Sequence, residues 1–146
     1  MSGRERILQA IKAGLRDLPG PPVISRSLRK AASVGEMPSV TLIDLGDDVD
    51  DRSIGPVVTR TAHVGLSVTY HGTSEEKAPE ELASFEDEIR RTMLGEELRQ
   101  AIGTDLSACL YETKVSGLSY PRETSGRIVR REIYFDVMYA HDVRTY

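Results

Sequence analysis

Two runs of alternating residues limit what this chain can fold into. Ala62, Val64, Leu66, Val68 and Tyr70 alternate with Thr61, His63, Gly65, Ser67 and Thr69. Ile133, Phe135, Val137 and Tyr139 alternate with Glu132, Tyr134, Asp136 and Met138 inside the segment 130–139. A period of two puts the apolar members on one face of an extended strand, and that face has to be covered.

The covering layer is also legible. Ser2 stands three residues before Glu5, the spacing at which each side chain caps the other's backbone amide at a helix start. Ile7, Leu8, Ile11, Leu15 and Leu18 follow at helical spacing, and Pro19-Gly20-Pro21-Pro22 stops the helix. Pro79 opens a second helix with Leu82, Phe85, Ile89 and Met93 on one side. Glu86–Arg90 and Asp87–Arg91 are spaced as i,i+4 pairs on its outer side. Gly95 either ends this helix or precedes its continuation through Glu96–Ile102.

Between these elements lie weaker signals. Residues 23–36 read as a loop with at most a short strand at Val23-Ile24, and it carries Arg26, Arg29 and Lys30. The β-branched run Ser39–Leu45 reads as a short strand. It is expected to end at Gly46 in an acidic loop holding Asp47, Asp48, Asp50 and Asp51. Leu106–Val115 reads as a strand, with Ala108, Leu110 and Glu112 opposite Cys109, Tyr111 and Thr113. Residues 117–126 form a turn-rich connection. The expected fold is one α+β domain over 1–146: an antiparallel or mixed sheet of about four strands, with two main helices packed on one face.

Composition narrows the function classes. Of 146 residues, 39% are hydrophobic and 29% charged, too apolar for a disordered chain. The net charge of -4 argues against a general nucleic-acid binder. Cys109 is the only cysteine, so neither an internal disulfide nor a zinc cage is expected, and it reads as a small buried hydrophobe. The N-terminus is amphipathic rather than signal-like, and no stretch approaches a membrane span of ~20 apolar residues, which points to a soluble chain made in a cytoplasm.

Chemistry is sparse. The acidic run is the one candidate metal site, but it lacks the central Gly and distal Glu of a calcium loop, so a solvated turn is preferred. His63, His71 and His141 show no spacing to a nucleophile or an orienting acid and read as surface histidines. No phosphate loop, metal-binding helix or nucleophile elbow is present. Neither an enzyme nor a cofactor is expected.

The order of elements as a whole resembles the tail terminator (tail completion) proteins of long-tailed bacteriophages, the family of the lambda minor tail protein U. The amphipathic helix over 5–18 carries the likeness, with the Pro-led strand Met37–Leu42 and the alternating strand His63–Tyr70. The charged helix Glu80–Leu98 and the aromatic final strand Arg131–Tyr139 complete it. The resemblance implies a structural virion protein, assembled in the host cytoplasm and placed at the head-proximal end of the tail. It would cap the tail tube as a hexameric ring, stop tube growth and offer the surface for head docking. The implied partners are further copies of itself, the tail-tube protein and head–tail connector or neck proteins, with DNA only passing through the lumen and no membrane. A closed ring needs two unlike surfaces that meet. Candidates are the acidic Asp47, Asp48, Asp50 and Asp51 against the basic Arg26, Arg29, Lys30, Arg122 and Arg127. A connector or neck protein, or a small cytoplasmic ligand-binding or regulatory domain, fits the same pattern.

Overall fold

The computed structural model describes residues 2–26, 37–49, 55–120 and 127–142, with residues 141 and 142 described by backbone only. Helix α1 (Gly3–Arg16) leads to the short strand β1 (Val23–Ser25), then β2 (Ser39–Val49) and β3 (Val57–His71). Helices α2 (Ala78–Leu94) and α3 (Glu96–Ile102) follow, and β4 (Cys109–Val115) and β5 (Ile128–Asp142) close the chain. The strands form one mixed sheet in the order β1-β2-β3-β5-β4. β1 runs parallel to β2 and every other pairing is antiparallel.

The expected start of α1 is half realised. Ser2 Oγ accepts the Glu5 amide at 3.1 Å. The Glu5 carboxylate, expected to return the bond, is held by Arg26 Nη1 at 2.6 Å, which ties α1 to the chain just after β1. α2 stops at Gly95 and the helix resumes as α3, so both readings of that glycine hold.

Register explains the core. Val40 pairs with Val68, Leu42 with Leu66, Leu66 with Ile133 and Val64 with Phe135, so the alternating apolar sets share one face. Ile7, Leu8, Ile11 and Leu15 of α1 and Leu82, Phe85, Ile89 and Met93 of α2 are buried in one cluster with them. The Tyr70 ring meets Phe85 of α2 at 5.8 Å between centroids. Removing this much apolar area from water is the main term holding the layers together.

Several expectations are corrected. The sheet has five strands rather than about four, because Val23–Ser25 pairs along the start of β2. Leu106 sits in a single 3-10 turn, Thr104–Leu106, and not in β4. Cys109 is exposed, because it opens the edge strand on the side away from the helices. Arg91 pairs with Glu88 and Arg90 with Asp87, each one turn back at i,i+3, in place of Asp87–Arg91.

Glu86 is the largest departure. It was expected on the outer side of α2 but is fully buried between α2 and β5. Its Oε2 takes Arg131 Nη1 at 3.3 Å and lies 3.6 Å from Arg90 Nη2. Arg90 in turn donates to Glu112 on β4 at 2.6 Å. Glu86 Oε1 finds no hydrogen-bond partner among the described residues. Burial is the largest influence on this carboxyl and raises its pKa, with the two arginines opposing.

Candidate functional site

The helix-free face of the sheet and the acidic end of β2 carry the polar groups of interest. β2 does not stop at Gly46. Asp44 pairs with Val64 but Asp47 pairs with Ala62, so three steps on β2 meet two on β3. That is a β-bulge, and Gly46 at φ +90° makes it, with Asp44 Oδ1 accepting the Gly46 amide at 2.9 Å. One extra residue reverses the facing of everything after it. Before the bulge, Val40 and Leu42 face the helices; after it, Asp47 takes that face and Asp48 the open one.

Each aspartate meets a different set of partners. Asp47 accepts from Tyr139 Oη at 2.8 Å and from Arg4 Nη1 at 3.3 Å, and lies 3.6 Å from Arg60 Nη1. It therefore joins α1, β2, β3 and β5. On the open face, Asp48 Oδ2 lies 2.8 Å from His63 Nε2, and His63 Nδ1 lies 2.7 Å from Asp136 Oδ1. Tyr111 of β4 directs its hydroxyl at Asp136 Oδ2 at 3.5 Å. The hydrogen bonds of His63 to Asp136, and then to Asp48, raise its pKa above the usual imidazole value, with burial opposing. Both ring nitrogens are engaged, so the imidazole bridges strands in this geometry and presents neither nitrogen to a substrate.

Beside this line of groups lies a shallow groove of about 360 Å³, lined among others by Leu45, His63, Thr113, Lys114, Tyr134 and Asp136. Gly65 makes room for its floor: a Cβ there would stand 3.2 Å from Tyr134 Cε1, so the ring lies across the glycine. Lys114 Nζ sits 5.8 Å from the Tyr134 ring centroid. Leu45 and Tyr111 add exposed apolar surface to the same face.

Of the residues proposed from sequence for a charged interface, Arg26, Asp47, Asp48 and Arg127 are described, and each has its own partners. Asp47 is taken up inside the fold. Asp48 is the exposed member, with its side chain 81% accessible. Arg26 is paired to Glu5, which lowers the Glu5 pKa. Arg127 donates to the carbonyls of Gly72 and Thr73 at 3.3 and 3.2 Å and fastens the start of β5 to the end of β3. Arg29, Lys30, Asp50, Asp51 and Arg122 lie outside the described residues. Among the described residues no group of three His, Cys, Asp or Glu side chains is placed to hold a metal ion. No helix among them is long and apolar enough to cross a membrane.

The expectation that His63 lacks an acid partner is overturned. His63 and Asp136 both fall on the polar phase of their strands, which was visible in the alternation. That they stand opposite each other follows only from the β3–β5 register.

This is the fold of a mixed sheet with helices on one side and an open polar face on the other. No protein-family model matches the sequence, and no curated protein matches it. The fold has a counterpart in a chain of the solved structure described as the virion of a native gene transfer agent particle. The TM-score is 0.54 at 13% identity, over 92% of this chain and 94% of that chain. At this identity the likeness is one of fold.

Proposed function

We propose that this chain is a phage-like structural protein of a virion, and within that class a tail terminator. The observation that carries the reading is the end-to-end fold likeness to a chain of a gene transfer agent virion, which leaves almost none of either chain unmatched. The order of elements, from amphipathic helix to aromatic final strand, supports the finer assignment. In this reading six copies close a ring on the finished tail tube, end its growth and present the surface for head docking. The work is done by surfaces, without catalysis or cofactor. The net charge of -4 suits a lumen through which DNA passes without being held.

The acidic end of β2 is the natural supplier of one ring surface, since the Asp48 side chain is largely exposed even while it meets His63. Such rim pairs are worth about 0–1 kcal/mol each, so closure gains from repetition around the ring and from the tube end as a template. Deleting the gene should leave particles with tails of uncontrolled length and unattached heads. Normal tails from the deletion would sink the terminator reading. The fold likeness serves a head–tail connector or neck protein equally. Capture by tail-tube subunits supports the terminator, and capture by portal or adaptor subunits alone supports the connector. Absence of the chain from purified particles would remove both.

A further inference from the structure

The open face holds a device that the ring reading does not require. His63 lies between two carboxylates, 2.7 Å from Asp136 and 2.8 Å from Asp48, one at each ring nitrogen. A neutral imidazole has one N–H and one lone pair. It can donate to only one of the two, and its lone pair then faces the other carboxylate at hydrogen-bonding distance. Both contacts are favourable only when the ring carries two protons. We infer that Asp48–His63–Asp136 is a pH-sensitive clip, in which loss of one imidazole proton frees Asp48 and loosens the end of β2.

Geometry decides which arm opens. Asp136 is 20% accessible, sits on a strand paired on both sides, and also receives the Tyr111 hydroxyl. Asp48 is 81% accessible, so water takes the place of the imidazole at little cost. The neutral ring therefore keeps its Nδ1 proton on Asp136 and turns the Nε2 lone pair toward Asp48.

The charged groups around the ring come from three strands. β2 supplies Asp48, β5 supplies Asp136, and β4 supplies Tyr111 and the Lys114 ammonium across the groove. Asp47, Arg4 and Arg60 act from the opposite face. The two nearby carboxylates outweigh burial, in line with a raised His63 pKa. The sign follows from linkage. A raised pKa stabilises the fold fully below the unfolded value, about 6.5 for histidine, and this contribution is lost as pH rises through the folded value.

Ring-nitrogen NMR shifts of the full chain between pH 5 and 9 test this (limits chosen to bracket a histidine pKa of about 6.5). Comparison with His63→Gln assigns the His63 signals. The expected result is titration above 6.5, a neutral Nδ1–H tautomer, and amide-exchange protection at 47–49 that falls severalfold through the same titration. Asp48→Asn should bring the pKa down toward its usual value and flatten the exchange response. Titration at or below 6.5, a neutral Nε2–H tautomer, or protection at 47–49 indifferent to the titration would each overturn the clip. None of these outcomes depends on whether the chain forms a ring.

Discussion

Tyr139 donates its hydroxyl hydrogen to Asp47 across 2.8 Å, joining residues 92 positions apart. The bond closes the helix-side face of the sheet at the point where β2 has passed its bulge, and it places a carboxylate beside Arg4 and Arg60. Tyr139→Phe keeps the ring and removes the donor. A hydrogen bond to a charged acceptor is worth about 1.5–3 kcal/mol, and the two arginines remain, so a loss of about 1.5 kcal/mol is expected from urea unfolding. A double-mutant cycle with Asp47→Asn should show coupling of about 1 kcal/mol. Additive effects would mean that the two side chains do not act together.

Phe135 is fully buried in the core cluster that includes residues of α1 and α2. Phe135→Ala should cost roughly 3–5 kcal/mol and sharply lower the soluble yield. A urea midpoint unchanged within error would show that this residue does not face the helices.

Gly46 has open space where a Cβ would stand, yet its φ is +90°. Gly46→Ala therefore costs conformational energy and no clash, roughly 1–2 kcal/mol. Hydrogen exchange should localise the loss to 44–49. Wild-type stability in this variant would mean that β2 can pass this point without the bulge.

Glu86 gives a pH signature of its own. Burial raises its pKa, so its contribution is most favourable below the usual carboxyl value of 4.5 and is lost as pH rises through the folded value. Glu86→Gln cannot titrate. The stability of the natural chain relative to this variant should fall between pH 4.5 and neutrality, measured by urea unfolding at each pH. A constant or rising difference would show that Arg131 and Arg90 outweigh burial.

The layered fold was legible because its signals are local. Ile7 to Leu15 and Leu82 to Met93 repeat at the helical period, and the runs around Leu66 and Phe135 at the strand period, so side chains bound for one face declare it within a few neighbours. Gly46 misled for an equally local reason. A glycine followed by aspartates has the composition of a turn, and only the pairing of Asp47 with Ala62 shows that the strand continues. Glu86 looked solvent-facing because it is charged and one turn from Arg90; its burial depends on Arg131, brought in by β5.

The sequence by itself determined the two main helices, the central strands and the apolar residues they turn to one another, since these follow from periodicity along a short stretch of chain. Tertiary structure alone decided the polar contacts of the site. His63 finds Asp136 across 73 positions and Asp48 across the bulge, and Asp47 is drawn inward to Tyr139. Strand register sets those meetings, and register is a property of two strands together that neither strand's residues specify alone.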